Sequence, residues 1–328
     1  MHVIEAAQAG GPDVLQYVQR PAPEPGPGQV LVRTEAIGVN FIDTYHRSGV
    51  YPMDFPLVPG QEGAGVVSTV GEGVTQVAEG DRVAWATSLT GSYAEQVLVD
   101  AAVALPVPDA LDTPTAAALA LQGMTAQMLV DGVVALEPGQ TVLVTAGAGG
   151  VGLLLTQLAV ATGARVITTV STAEKEELSR GAGAWEVIRY TELDDLSTEL
   201  PARVRELTHG VGVDVAFDGV GKDTFDASLA SVRTRGMLVL FGGASGQVPP
   251  FDLQRLNRAG SLFVTRPTLA HYIEDPDERR FRAGAVFAAA RTGSLQVRIG
   301  ARYPLVDAAE AHRALEGRET TGKVLLIP

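Results

Sequence analysis

The segment Gly147-Ala148-Gly149-Gly150-Val151-Gly152 spaces its glycines as G-x-G-x-x-G, a pattern that lets backbone amides close on a diphosphate. The flanks decide its worth, because a chain with 37 glycines matches such patterns by chance. Here a β-branched run at residues 141–145 precedes it and an Ala/Leu-rich run at 153–162 follows. In that strand-turn-helix setting Gly147 permits the tight turn, Gly149 admits the pyrophosphate, and Gly152 lets the helix pack against the strand. Gly150 and Val151 complete a helix start whose free N–H groups face the anion.

The nucleotide is read from the end of the next strand, about twenty residues on, where an Asp or Glu would select NAD by binding its ribose 2′-hydroxyl. That place holds Ser171 and Thr172, with Lys175 in the first turn of the following helix. Hydroxyl donors and a cation suit a 2′-phosphate, so NADPH is the expected cofactor. Two plainer readings compete: Ser171-Thr172-Ala173-Glu174 is also a helix-capping sequence, and Glu174 could take the ribose. Lys175 is one of only three lysines, with Lys222 and Lys323.

Other chemistries lack their residues. None of the seven tyrosines is followed four positions later by lysine, which removes a Tyr-x-x-x-Lys pair. Gly243-Ala244-Ser245-Gly246 has the wrong spacing for a nucleophile elbow, and the five histidines form no H-E-x-x-H. With no cysteine there is no thiolate nucleophile and no cysteine-based zinc site. Asp43, His46 and Glu62 are the one residual set for a metal, and none is expected to bind.

The elements that must hold these residues follow from patterning. The first hundred residues alternate in short apolar runs cut by Pro21, Pro23, Pro25, Pro27, Pro52, Pro56 and Pro59, which predicts irregular, mostly antiparallel β-structure. Thr113-Pro114 opens an Ala-rich helix, and a second helical run is expected over 125–136. Strands at 141–145, 165–170, 186–190, 213–218, 236–241 and 261–265, with helices between most of them, predict a doubly wound parallel sheet. Helices near 276–291 and 307–315, the latter capped by Asp307 with Glu310, and a strand at 323–327 have no place in a complete six-stranded sheet. They are expected to return to the first domain.

A length of 328 residues suits two domains. The net charge of -13 disfavours nucleic acid as a partner. Residues 138–164 carry no charge, yet four glycines in their middle favour a buried strand-turn-helix over a membrane span. Glu5 interrupts the N-terminus before any apolar leader, so a cytoplasmic location is expected.

Four segments together resemble the medium-chain dehydrogenase/reductase superfamily, and within it the zinc-free quinone oxidoreductases related to zeta-crystallin. They are residues 36–43 (AIGVNFID), 47–52 (RSGVYP), 59–65 (PGQEGAG) and 146–152 (AGAGGVG). The resemblance covers nearly the whole chain. Zinc-dependent members carry Cys where Asn40 stands and His where Gln61 stands, and amides are poor zinc donors. The resemblance implies a GroES-like β-rich catalytic domain (1–124 and 266–328) and a Rossmann domain (125–265), with a cleft between them for NADPH and a planar quinone. It implies that Asn40, Tyr45, Tyr51 and Gln61 serve the reaction, Asn40 as a cofactor-positioning amide and Tyr51 as an orienting or proton-donating phenol. Thr125, Phe241 and Gly242 would touch the cofactor, and Lys175, Tyr190 and Arg318 would surround the adenosine phosphate. Many relatives carry an aromatic near Gln127 or Met128, and this chain does not. A homodimer through the strand at 261–265 is expected. Rival readings are an NADPH-dependent enal or enone reductase and a non-catalytic NADPH-binding protein.

Overall fold

The structure, a computed structural model, describes residues 1–328. It divides into two compact units, Met1–Thr125 with Ile273–Pro328, and Ala126–Tyr272.

In the first unit β1 (His2–Ala6) and β2 (Leu15–Gln19) form an antiparallel pair. They are followed by β3 (Gln29–Val39), α1 (Phe41–Ser48), β4 (Glu62–Val70), β5 (Arg82–Trp85), β6 (Gln96–Asp100), β7 (Leu105–Pro106) and α2 (Thr113–Gln127). The prolines lie where their missing N–H does no harm: Pro21 to Pro27 link β2 to β3, and Pro52, Pro56 and Pro59 fill the loop before β4. Valines at alternate positions of β3 and β6, with Val67 of β4, meet Trp85 in an apolar core. α2 begins at the Thr113-Pro114 step, but no separate second helix follows. The chain continues into a wide π-type turn, Met128–Val133, and leaves helical structure before Leu136.

The second unit runs β8 (Thr141–Val144), α3 (Gly150–Ala161), β9 (Arg165–Val170), α4 (Ala173–Gly181), β10 (Glu186–Arg189), α5 (Leu196–Leu207), β11 (Val213–Asp218), α6 (Phe225–Ser231), β12 (Val232–Leu240), α7 (Gln254–Arg258), β13 (Phe263–Thr265) and α8 (Leu269–Tyr272). All six strands are parallel in the order β10-β9-β8-β11-β12-β13. The chain therefore winds outward from β8 in one direction and then in the other. The loop after β8 lies at the reversal, where open parallel sheets bind ligands. The uncharged stretch at 138–164 is β8, the glycine turn and α3, and no helix is long and apolar enough to cross a membrane. β12 starts four residues before the expected strand, because Val232 already pairs with Val213 ahead of a register shift.

The remaining elements complete the first unit: α9 (Pro276–Arg291), β14 (Ile299–Pro304), α10 (Ala308–Glu316) and β15 (Lys323–Ile327). β15 lies between β14, parallel, and the second half of β3, antiparallel, with Val324 opposite Val39. Asp275 caps α9 by accepting the N–H groups of Asp277 and Glu278 at 2.9 Å. The cap expected from Asp307 and Glu310 does not form. A 3-10 turn at Leu305–Asp307 runs straight into α10, and Glu310 pairs instead with Arg313 at 2.6 Å.

Candidate active site

The glycine turn is built for close approach. Ala146, with φ 52°, takes the left-handed conformation, so the reversal falls one residue before Gly147. Gly147 is needed for another reason: a Cβ there would sit 2.5 Å from Thr168 Cβ and 3.0 Å from Ser179 Oγ, which join β9 to α4 by a 2.7 Å hydrogen bond. At Gly152 a Cβ would lie 2.3 Å from the Ala146 carbonyl oxygen, so only glycine lets α3 start this close to the turn. Gly149 differs; its Cβ would meet only that oxygen, at 3.2 Å. As N-cap of α3, Gly149 offers no side chain to the first helical turn. The amides of Gly150, Val151 and Gly152 keep the donor capacity an anion requires. These features fit a dinucleotide diphosphate.

Because the strands are parallel, their C-terminal ends share one edge of the sheet with this turn. Ser171 and Thr172 follow β9, and Tyr190 follows β10 beside them. Thr191 Oγ1 donates to the Ser171 carbonyl at 2.7 Å, which ties the two strand ends together. Thr172 is the N-cap of α4, accepting the Lys175 N–H at 3.2 Å, and this puts Lys175 in the first turn. Glu176, which could cancel that cation, is engaged by Arg180 at 2.9 Å and Arg189 at 3.1 Å. Phe241 and Gly242 lie at the end of β12, where the Phe241 N–H donates to the Asp218 carbonyl at 2.9 Å. A Cβ on Gly242 would lie 2.3 Å from the Gly219 carbonyl oxygen, so β11 and β12 close tightly here.

In the first unit, α1 brings the aromatic candidates together. Tyr45 and Tyr51 meet edge to face at 5.5 Å, and Phe41 and His46 flank them at 6.4 Å and 6.0 Å. Burial lowers the pKa of His46. Gln61 is half-buried just before β4. Thr125 bonds back to the Leu121 carbonyl at 2.7 Å, and Arg318 sits with φ 60° just after α10.

Asn40 is buried, the first member of a polar chain that crosses the first unit. Its Oδ1 accepts from Gln122 Nε2 at 2.9 Å and Lys323 Nζ at 3.0 Å, while its Nδ2 donates to Glu62 Oε1 at 2.6 Å. Lys323 also pairs directly with Glu62, whose second oxygen accepts the Leu121 N–H at 2.7 Å. Burial pulls the Lys323 pKa down, and the Glu62 charge opposes that.

The Asn40 N–H donates to Asp43 Oδ2 at 2.8 Å, and the Tyr93 hydroxyl donates to the same oxygen at 3.1 Å. Beyond Tyr93 lies His312, 2.9 Å away through Nε2, and then Arg47, whose Nη1 donates to His312 Nδ1 at 2.9 Å. With Nδ1 accepting, the imidazole is neutral and Nε2 carries the hydrogen. Burial, with the Arg47 charge beside it, holds the His312 pKa down at about 3. Burial raises Asp43 to about 7, against the pull of the Asn40 amide and the Lys323 charge. Asp43 Oδ1 has no partner at all. Arg47 ends the chain on Glu316, with contacts of 2.7 Å and 3.1 Å.

Two family models match: an alcohol dehydrogenase GroES-like domain over residues 26–109 and a zinc-binding dehydrogenase over residues 150–274. The chain is 45% identical over 326 residues to a quinone oxidoreductase of Pseudomonas aeruginosa, covering 99% of both. This chain belongs to the quinone oxidoreductase family of medium-chain dehydrogenases/reductases. A 2-haloacrylate reductase of a Burkholderia species is 41% identical, with 97% of this chain and 96% of that protein covered. A mycobacterial protein solved in complex with NADPH is 51% identical, covers the whole of both chains, and superposes with a TM-score of 0.97.

The zinc named by the second model does not fit the residues of this family member. No group of three His, Cys, Asp or Glu side chains converges. The ammonium of Lys323 already holds Asn40 Oδ1, so a metal ion at that oxygen would meet a cation. Sequence reasoning missed Gln122, Tyr93, His312 and Lys323. One signal was available: a lysine opening the apolar run 323–327 of a chain with three lysines.

Proposed function

We propose that this chain is an NADPH-dependent quinone oxidoreductase. The observation that carries the reading is the uncapped α3 start beside the glycine turn, with Ser171, Thr172 and Lys175 on the same sheet edge. The amides of Gly150, Val151 and Gly152 receive the diphosphate, Gly149 leaves room for it, and Gly147 keeps the turn seated on β9. Lys175, the Ser171 and Thr172 hydroxyls and Tyr190 take the adenosine 2′-phosphate, whose charge favours a cation over a carboxylate. Phe241 and Gly242 line the cofactor further along. The relative solved with NADPH supports this choice of nucleotide.

When bound, NADPH supplies a hydride to an acceptor that is already electrophilic. The quinone gains that hydride at one end and a proton at the other, leaving hydroquinone and NADP⁺. Tyr51, packed edge-on against Tyr45, orients the acceptor and offers its phenol hydrogen to the developing oxyanion. Gln61, half-buried just before β4, serves the same reaction as a neutral amide. Asn40, held by Lys323, Gln122 and Glu62, is the fixed point from which α1 starts. Steady-state reduction of 1,4-benzoquinone and a naphthoquinone with NADPH and with NADH tests the reading. Turnover with NADPH preferred is expected, and no turnover of any quinone would overturn it.

The 2-haloacrylate reductase relative favours one second reading, hydride delivery to an activated alkene. Faster turnover of a small enal than of any quinone would establish it. We infer also a homodimer through β13, the edge strand of the parallel sheet, whose Phe263 and Val264 are exposed. A monomeric mass by light scattering at micromolar concentration would remove it. We infer also that the enzyme is cytoplasmic and binds no nucleic acid, the latter because its net charge is -13.

A further inference from the structure

Lys323 and Glu62 are almost wholly shielded from solvent, at 2% and 0% side-chain exposure. A buried ion pair is a poor device for stability, because desolvating both charges offsets most of their attraction. The surroundings show what this pair does instead. β3 is cut away to admit it: a Cβ on Gly38 would lie 2.2 Å from Glu62 Oε1. Between them the two charges dictate how the Asn40 amide faces. Its oxygen meets the ammonium and an amide N–H, and its NH₂ meets the carboxylate. Turning the amide over would set N–H groups against two donors and its oxygen against a carboxylate, so a single orientation survives.

Four elements meet at this point. Asn40 caps α1, Glu62 opens β4, Leu121 and Gln122 belong to α2, and Lys323 opens β15. α1 carries Tyr45, and Tyr51 follows it.

We propose that Lys323 is a positioning residue for quinone reduction. Together with Glu62 it fixes the Asn40 amide and the start of α1, and so presents the Tyr45–Tyr51 pair in one geometry. The inference rests on the quinone oxidoreductase reading above and adds Lys323, Glu62 and Gln122 to the residues that serve it.

The test separates positioning from mere stability by removing both charges at once. The double variant Glu62→Gln/Lys323→Met removes both charges of the pair, and with them the charged contacts that fix the Asn40 amide, leaving its oxygen to Gln122 alone. With NADPH and 1,4-benzoquinone it is expected to melt within a few degrees of wild type and keep its KM for NADPH within twofold, while kcat falls tenfold or more. Wild-type kcat in the folded double variant overturns the proposal. Should that variant not fold, Lys323→Arg decides, because it keeps the charge. A kcat within threefold of wild type supports positioning, and a tenfold loss in the folded protein, or loss of the fold here too, overturns it. Hydrogen exchange of the Asn40 side-chain amide supplies a readout independent of turnover. It is expected to be protected in wild type and to exchange faster in the double variant, and unchanged protection refutes the mechanism. Failure of the functional reading looks different: wild type then reduces no quinone, while the exchange experiment still judges Lys323.

Discussion

Placing a methyl group at Gly152 and, separately, at Gly149 distinguishes the two jobs of the glycine turn. At Gly152 the added carbon would lie 2.3 Å from the Ala146 carbonyl oxygen, 3.0 Å from Gly147 Cα and 3.1 Å from the Ala146 carbonyl carbon, all backbone atoms that cannot swing aside. Restoring a normal contact of ~3.2 Å requires α3 and the turn to separate by nearly an ångström, and overpacking of this kind costs ~1–3 kcal/mol. Replacing a helical glycine by alanine returns ~0.8–1 kcal/mol, leaving a net loss of up to ~2 kcal/mol. For a unit of this size that lowers Tm by roughly 2–8 °C.

Gly149→Ala meets only one atom, at 3.2 Å, and changes Tm little. Its methyl stands instead where the diphosphate must approach. Losing one charge-assisted amide contact there costs ~1.5–3 kcal/mol, or roughly 10- to 150-fold in NADPH affinity. Thermal melting with and without NADPH, and calorimetric titration, read both quantities. The reasoning fails if Gly149→Ala binds NADPH as tightly as wild type, or if Gly152→Ala melts at the wild-type temperature.

Lys175→Ala is expected to weaken NADPH by ~1.5–3 kcal/mol while leaving NADH nearly unchanged; equal losses for both nucleotides in a titration would remove Lys175 from the phosphate site. Asp43, raised to about 7 by burial, stabilises the fold most below its ordinary carboxylate pKa near 3.8, and that contribution is lost as pH rises through 7. Asp43→Asn should therefore gain on wild type between pH 4 and 7 by up to ~1.4 kcal/mol per unit, and a pH-independent difference in urea unfolding contradicts this. His312, held down at about 3, has the opposite sign: its contribution is full above pH 6.5 and is lost as pH falls toward 3. His312→Gln should flatten the acid limb of the stability curve by one proton. Because the two groups oppose each other between pH 4 and 6.5, wild type changes less over that range than either variant.

The parallel sheet was legible because its strands are β-branched runs separated by helical stretches, and local composition determines both. β9 and β11 fall on the expected residues, as do α9 and β15. β14 was not anticipated: Ile299–Pro304 alternates half-buried and exposed residues and is held largely by its pairing to β15, which no local pattern announces. The second run after α2 misled because its apolar residues suit a helix, whereas Gly132 lies in the π-type turn that ends it. The glycine turn was readable as a motif, though the left-handed residue proved to be Ala146 and Gly147 answers to Thr168 on the neighbouring strand. The polar chain from Lys323 to Glu316 was invisible for a deeper reason. Its members come from α1, β4, the segment before β6, α2, α10 and β15, and their partnership exists only once the sheet has gathered them.

Glu62 and its counter-ion are separated by 261 positions along the chain. At ~5–20 residues per second of synthesis, the carboxylate waits roughly 13–50 s for its cation. The whole of the second unit is translated during that interval and is free to fold as a block of its own. Until residue 323 has been made, closing the interior would bury a carboxylate with no cation beside it, which desolvation disfavours. Closure of the first unit's core is thereby tied to the arrival of β15, the strand that carries the balancing cation.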